Sequence, residues 1–375
     1  MRVVNSSLYR NYTSSMNNVQ ARLNKSFAKI SSGRAYESAA ENPISYYKGR
    51  EIDDQYQQIL SKKQLLTDVK SRLEQQERGA YDIQTTLSLQ AKQAVLQANT
   101  ATTSDTALMS LRDKLLQTEH NMINDLQTQY QDFYVYGGND VSTPPFSLSS
   151  DGKTLTFSHK YPGDDFTTNY EMTFQDGKFQ DAMSISTDPA GQAVTHPDLA
   201  DAMKEQGFMD LGYGDIRDRS TLIDTFTGGM NVLTGLTSEH VKTNTPSNAE
   251  IMDALTKGPV GLVASAVETI NKYLDGTNDR GQMSKELDVI LQDMLVSEHT
   301  TTTVYSDLGN KYNLLEQLES KLGKMSDSLQ TQYTDAVGAD PYESIYEMFN
   351  NQYAYNAALQ VGSNLMSSSL FDFIR

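Results

Sequence analysis

The chain has 375 residues, 38% of them hydrophobic, and a formal net charge of -17. Such an acidic chain repels nucleic-acid phosphates and anionic lipid headgroups, so we expect neither nucleic acid nor a membrane surface as a partner. The absence of cysteine excludes disulfides, thiolate metal sites and cysteine nucleophiles.

The distribution of helix-breaking residues divides the chain into three parts. Seven of the nine prolines lie between Pro144 and Pro259, and most glycines lie between Gly137 and Gly281. Because Pro and Gly end helices, this predicts two helical flanks around a turn-rich middle. The N-terminus lacks the apolar core of a signal peptide, and nowhere do 18 apolar residues run together, so we expect no transmembrane helix.

The N-terminal helix carries an apolar stripe with an eleven-residue period, in steps of four, four and three. Single-stripe helices without a partner are marginal in water, so we expect Leu8 to Ile30 and Ile345 to Leu370 to become ordered on neighbouring subunits. The predicted assembly interface comprises Leu8, Tyr12, Met16, Val19, Leu23, Phe27, Ile30, Ile345, Phe349, Leu359, Leu370, Phe371 and Phe373.

Both flanks then carry heptad patterns, with apolar residues seven apart. Ser104 is expected to cap a further helix that runs to Phe133, and Ser284 to cap the C-terminal helix. Long helices with one apolar stripe each can bury those stripes only against one another, which predicts a bundle. The patterns comprise Ile52, Ile59, Leu66, Leu73, Ala80, Leu87 and Ala94, and Leu287, Met294, Leu308, Leu315, Leu322 and Leu329.

The middle of the chain shows strands as well as helices. Leu155 and Phe157 alternate after an Asp-Gly turn, and Met172 and Phe174 precede another. We therefore predict a mainly α fold, a long antiparallel helical bundle or coiled coil from both chain ends with an inserted α+β outer domain. Its expected domains are a terminal helical assembly domain at 1–40 and 337–375, a bundle at 41–136 and 284–336, and the outer domain at 137–283.

The sequence offers little for catalysis, and we expect no enzyme, cofactor or metal. The five histidines are scattered without metal-ligand spacing, and no nucleophile elbow, phosphate loop or dinucleotide fingerprint occurs. The run from Asp275 to Glu286 resembles a calcium loop, but Arg280 replaces the glycine that its sharp turn needs. We interpret this run as a helix-capping connector.

Tyrosines cluster near the two chain ends and could in principle stack on nucleic-acid bases. Without a basic groove, they are better explained as amphipathic contacts between subunits. They are Tyr46, Tyr47, Tyr342, Tyr346, Tyr353 and Tyr355.

Four segments resemble known bacterial flagellar proteins. The start of the chain, including Ser31-Ser32-Gly33-Arg34 and Glu41-Asn42-Pro43, resembles the N-terminal region shared by flagellins and the hook-associated protein 3 family. Tyr130 to Phe146 looks like that family's exit from the bundle, and Ile223 to Leu233 is more weakly similar to its outer domain. The ending Ser369-Leu370-Phe371-Asp372-Phe373-Ile374-Arg375 looks like that of hook-associated protein 3 rather than flagellin.

The resemblance implies a structural subunit that joins hook and filament outside the cell. It implies export through the flagellar channel as an unfolded chain, with a cytoplasmic flagellar export chaperone on the C-terminal helix. The implied partners are further copies of the chain in a ring, the other hook-associated junction protein and flagellin. Leu87 to Asn99 aligns with the flagellin stretch that an innate immune receptor recognises, but Leu89 stands where flagellin has arginine, so that recognition is not implied here.

Other interpretations remain open at this point. The chain could be a short flagellin that forms the filament itself, or a heptad-rich adhesin or secreted effector. An enzyme within residues 137–283 is a further alternative.

Overall fold

The computed structural model describes residues 2–161, 163–180, 183–185, 198–204, 208–210, 222–224 and 227–373. The chain forms two compact units, the terminal unit (1–64 with 320–375) and the central unit (65–319). Within the described residues, no helix combines the length and apolar character needed to cross a bilayer. The mainly α fold with an inserted α+β region is confirmed.

The helices are α1 Arg2–Ser32, α2 Pro43–Thr85, α3 Lys92–Ala98, α4 Asp105–Asp125, α5 Leu199–Lys204, α6 Gly229–Thr234, α7 Ser238–Asn244, α8 Asn248–Thr256, α9 Pro259–Leu274, α10 Arg280–Val337 and α11 Pro341–Phe373. A π-helical turn, Thr86–Ala91, links α2 to α3. The strands are β1 Gln129–Tyr130, β2 Phe133–Tyr134, β3 Phe146–Leu148, β4 Thr154–His159, β5 Thr168–Gln175, β6 Lys178–Phe179, β7 Met183–Ile185, β8 Phe208–Asp210 and β9 Leu222–Asp224.

Two interruptions between helices, one after α1 and one after α10, lie next to each other in the terminal unit. Gly33, whose φ is +67°, ends α1, and Asn42 caps α2 through its Oδ1, which accepts from the N–H of Ser45 at 3.1 Å. The break after α1 pairs with the break after α10, because the Ala35 N–H donates to the Val337 carbonyl at 2.7 Å and the Ala339 N–H to the Gly33 carbonyl at 2.9 Å.

The N-terminal heptad pattern forms a continuous buried seam. All seven of its positions are buried, and so is Leu315 on α10. In the central unit, Lys70 of α2 and Glu319 of α10 form an ion pair at 2.7 Å that places these helices side by side. Each fully buried aliphatic side chain contributes about 1.5–3 kcal/mol by leaving water, so this seam makes a large contribution to the stability of the helices.

Two predicted helix boundaries are wrong. Ser104 caps α4 as predicted, but α4 ends at Asp125, and Phe133 lies instead in the β1–β2 hairpin. The hairpin turns on Gln131 and Asp132, whose φ angles of 48° and 67° are incompatible with a helix.

The other wrong boundary lies at the start of α10. Ser284 lies inside α10, because the helix is capped at Asp279, whose Oδ1 accepts from the Gln282 N–H at 2.8 Å. The Ser284 hydroxyl instead donates to the Asn99 side chain.

An antiparallel sheet lies in the central unit, in the order β3-β4-β5-β6, with β7 also paired to β5. Leu155 and Phe157 on β4 and Met172 and Phe174 on β5 face inward, which confirms their predicted alternation. Both Asp-Gly turns occur where expected, and helices α8 and α9 lie in the middle segment of the chain, which was predicted to contain helices as well as strands.

Candidate assembly surfaces

The terminal helices α1 and α11 pack antiparallel, in contact along one face of α1 that includes part of its apolar stripe. Tyr12, Met16, Val19 and Leu23 are half-buried on this face. The Tyr12 hydroxyl donates to the Ala358 carbonyl at 2.9 Å. We expected these stripes to become ordered on neighbouring subunits. Within the chain, each of the two helices already covers one side of the other.

Polar contacts fix the register of this helix pair. The Asn351 side-chain amide donates to the buried Ser26 hydroxyl at 2.7 Å, and Lys29 pairs with Glu347 at 3.1 Å. The ion pair is half-exposed and contributes only a few tenths of a kcal/mol. The hydrogen bond between Asn351 and Ser26 contributes more to the register. Sliding the helices would leave the buried Ser26 hydroxyl without its Asn351 donor.

A second set of predicted interface residues remains exposed. On α1 the exposed fractions are 51% for Leu8, 49% for Phe27 and 39% for Ile30, and on α11 they are 43% for Ile345, 59% for Phe349 and 46% for Leu359. The backbone of Leu370, Phe371 and Phe373 belongs to α11, but their side chains lie outside the described part of the chain.

The exposed apolar side chains of α11 form an aromatic outer face. Phe349 lies two residues from Asn351, which contacts α1, so at about 100° per residue its side chain points away from α1. Tyr342, Tyr346 and Tyr353 lie on the same side at helical spacing and are 87%, 68% and 79% exposed. We call Tyr342, Ile345, Tyr346, Phe349 and Tyr353 the outer face of α11. The remaining tyrosines of the cluster differ, since Tyr47 is exposed whereas Tyr46 and Tyr355 are half-buried.

Sequence reasoning missed a group of exposed apolar side chains on the central unit. They lie on the π-helical turn, α3 and α10, and Lys92 of α3 pairs with Glu298 of α10 at 3.6 Å. These residues fall outside the heptad positions, and their exposure could not be distinguished from burial in the sequence. They are Leu89, Leu96, Val289, Leu295 and Val296.

The calcium-like run forms a connector between α9 and α10. Asn278 donates to the Glu286 carboxylate at 3.2 Å, and Asp279 caps α10. The Arg280 guanidinium donates to the Thr100 carbonyl at 2.7 Å and lies 5.3 Å from the Tyr273 ring centroid. The carboxylate oxygens of Asp279 and Glu286 thus form hydrogen bonds in the first turns of α10. Among the described residues, no three acidic or histidine side chains are placed to hold a metal ion.

Comparison with known proteins identifies the N-terminal region. Residues 3–139 match the family model described as the bacterial flagellin N-terminal helical region, so this part of the chain is flagellin-like. The match covers β1, β2 and every helix from α1 to α4. No curated protein gives a significant sequence match.

Several solved structures resemble this chain to different degrees at low sequence identity. A protein of Vibrio parahaemolyticus provisionally described as flagellar hook-associated matches 80% of this chain and 100% of its own, with 10% identity and a TM-score of 0.50. FlgL of Bacillus cereus matches 78% of this chain and 100% of its own, with 13% identity and a TM-score of 0.38. FlgL of Xanthomonas campestris matches 74% and 99%, with 13% identity and a TM-score of 0.29.

Proposed function

We propose that this chain, whose residues 3–139 match the N-terminal helical region of bacterial flagellins, is a structural subunit of the bacterial flagellum and not an enzyme. More narrowly, it serves as an adaptor at the junction of hook and filament. The ending Ser369 to Arg375, which resembles hook-associated protein 3, favours the junction over the filament.

The observation that carries the proposal is the outer face of α11. The helix buries its other side on α1, yet five large side chains remain in water. Exposed tyrosine and phenylalanine of this kind favour protein contacts, since each ring buries a large apolar area at little cost in side-chain entropy. In a closed ring of subunits, this face and the exposed residues of α1 would be covered.

The proposed partners are those of a flagellar junction subunit. They are further copies of this chain, the other hook-associated junction protein, flagellin and, inside the cell, an export chaperone. The domain division at 1–40 with 337–375, 41–136 with 284–336, and 137–283 belongs to the same proposal, as does export as an unfolded chain to an extracellular location.

The test replaces Tyr346, Phe349 and Tyr353 together by glutamate. These side chains are exposed, so we expect the helix content of the isolated subunit to be unchanged while filament growth is lost in cells lacking the native gene. The control is Gln360→Glu, on the same side of α11. Normal filament growth with the triple variant would contradict assembly through this face.

The position of the protein is tested separately by labelling it in assembled flagella. A label confined to the tip of the hook supports the junction role. A label along the whole filament would instead identify a short flagellin and overturn the narrower proposal.

A further inference from the structure

A cavity of about 280 Å³ lies in the central unit between α4, α9 and the turns that follow β3 and β5. Its apolar wall includes Leu116, Ala264 and Val267. The lining also contains five carboxyl groups and two lysines, which make it acidic. The charged residues are Glu119, Asp151, Lys153, Asp176, Glu268, Lys272 and Asp275.

The floor of the cavity holds a carboxyl group with an unused oxygen. Glu119 is only 1% exposed, and its Oε1 has no hydrogen-bond partner among the described residues. Its other oxygen is screened by the turn, since a Cβ atom on Gly152 would lie 2.8 Å from Oε2. Burial, with the nearby Asp151 charge, raises the pKa of Glu119 to about 8. An unsatisfied buried carboxyl group is costly and calls for a ligand that can pair with it.

The neighbouring charges keep the cavity attractive to cations. Asp151 accepts from the Ser149 hydroxyl at 2.6 Å, a hydrogen bond that holds the pKa of Asp151 below its usual value. Glu268 accepts from the Gly177 N–H at 2.9 Å and pairs with Lys272 at 2.8 Å. The carboxylates of Asp176 and Asp275 add further negative charge around the opening.

We propose that this cavity binds a small molecule carrying a primary alkylammonium group, with its nitrogen donating to Glu119 Oε1. A metal ion fits less well, because no three acidic or histidine side chains among the described residues converge on one point. A guanidinium prefers both oxygens of one carboxylate, and here Oε2 faces Gly152. An ammonium needs one oxygen, and the apolar wall suits its alkyl chain.

Binding is expected to depend on pH. A bound cation favours the ionised form of Glu119, so it must lower the pKa of this carboxyl group. An alkylammonium keeps its charge to about pH 10. Affinity should therefore rise as pH increases towards 8. The other charged groups that line the cavity are Asp151, Lys153, Asp176, Glu268, Lys272 and Asp275.

The test is calorimetric titration of the full chain with n-butylammonium chloride at pH 6 and pH 8. We expect saturable binding that is tighter at pH 8 and at least about tenfold weaker in Glu119→Gln, because that variant loses the charge-assisted hydrogen bond. Asp151→Asn, on an exposed turn, should also weaken binding. Glu239→Gln, on the exposed face of α7, is the matched control and should bind as the parent does.

Three outcomes would overturn the proposal. They are the absence of saturable butylammonium binding, equal binding by the parent and Glu119→Gln, and tighter Glu119-dependent binding of guanidinium or calcium ions than of butylammonium. None of these outcomes bears on the flagellar role, which depends on the terminal helices.

Discussion

Gln76 is a polar side chain in the middle of the apolar seam of α2, where it is fully buried. Its side-chain amide donates to the backbone carbonyls of Val135 and Thr227, and the Tyr136 hydroxyl donates to the backbone carbonyl of Gln76. Gln76 thereby fastens two separate loop segments to α2. These bonds compensate the cost of burying an amide, and they anchor the chain where it leaves the helices.

Gln76→Met keeps the size of this side chain but removes the amide nitrogen and oxygen that can form hydrogen bonds. The Val135 and Thr227 carbonyls would lose buried donors, so we expect a loss of about 1–3 kcal/mol in the free energy of unfolding. Gln93→Met on α3, where the side chain is exposed, should change it by less than about 0.5 kcal/mol. Urea unfolding followed by circular dichroism measures both, and equal midpoints would contradict the anchoring role.

Glu119 gives the stability of the protein a specific dependence on pH. Its pKa in the folded chain is about 8, against an ordinary value of 4.5, so the folded state binds the extra proton between these values. The contribution of Glu119 to stability must therefore fall as pH rises from 4.5 to 8. Because Gln cannot ionise, Glu119→Gln should match the parent near pH 4.5 and exceed it by a few kcal/mol at pH 8.5. A difference in urea midpoint between the two proteins that stays constant across this pH range would refute the assignment.

At the scale of the helices, α10 allows a comparison between adjacent leucines. Leu315 is fully buried in the seam, whereas Leu314 is 42% exposed. Leu315→Asp buries an unpaired carboxylate and should cost more than about 3 kcal/mol, while Leu314→Asp should cost about 0.5 kcal/mol through helix propensity alone. Leu73→Asp, across the central unit on α2, should behave like Leu315→Asp. Equal melting temperatures for the Leu314 and Leu315 variants would mean that the heptad assignment is wrong.

Two helical glycines provide the corresponding test for the terminal pair. A Cβ atom on Gly362 would lie 2.0 Å from the Tyr12 hydroxyl, whereas one on Gly323 meets nothing within 4 Å. Gly323→Ala should add about 0.5–1 kcal/mol of stability, because alanine favours the helix. Gly362→Ala should instead displace the Tyr12 ring and reduce hydrogen-exchange protection in α1 and α11. Increased protection there would contradict the observed packing.

The helical elements were predictable from the sequence because their signals are long and repeated. Seven heptad positions on α2, the π-helical turn and α3 all point inward, and one misplaced residue could not have hidden that pattern. The β1–β2 hairpin was not predictable, since Gln131 and Asp132 give only a weak turn signal. The start of α10 was predicted at Ser284, but Asp279 caps the helix and the Ser284 hydroxyl donates to the Asn99 side chain.

The candidate surfaces were less predictable than the helices. An apolar stripe shows which face of α1 is buried, but not whether α11 or another subunit covers it. Tyr12 and Leu8 belong to one stripe, yet only Tyr12 is half-buried with a hydrogen bond to α11. Burial of Glu119 was equally hidden, because it depends on the approach of Gly152 from a distant turn.

At the scale of the whole molecule, the charge of -17 opposes any ring of identical subunits. Association must overcome this repulsion, and salt screens it over a Debye length of about 8–10 Å near physiological ionic strength. We therefore expect sodium chloride between about 0.05 M and 0.5 M to promote self-association of the purified protein. Sedimentation velocity at fixed protein concentration measures this effect. Dissociation by added salt would indicate that attractive ion pairs, rather than the outer face of α11, hold the copies together.

The two hydrogen bonds between the breaks that follow α1 and α10 also limit how the sequence can vary in length. Gly33 to Ala35 and Val337 to Ala339 run antiparallel, and each supplies one donor and one acceptor to the other. A residue inserted into α1 or α11 near its break would rotate that helix by about 100° and turn its inward face away from its partner. Insertions and deletions next to one break should therefore survive during evolution only when a compensating change arises at the other.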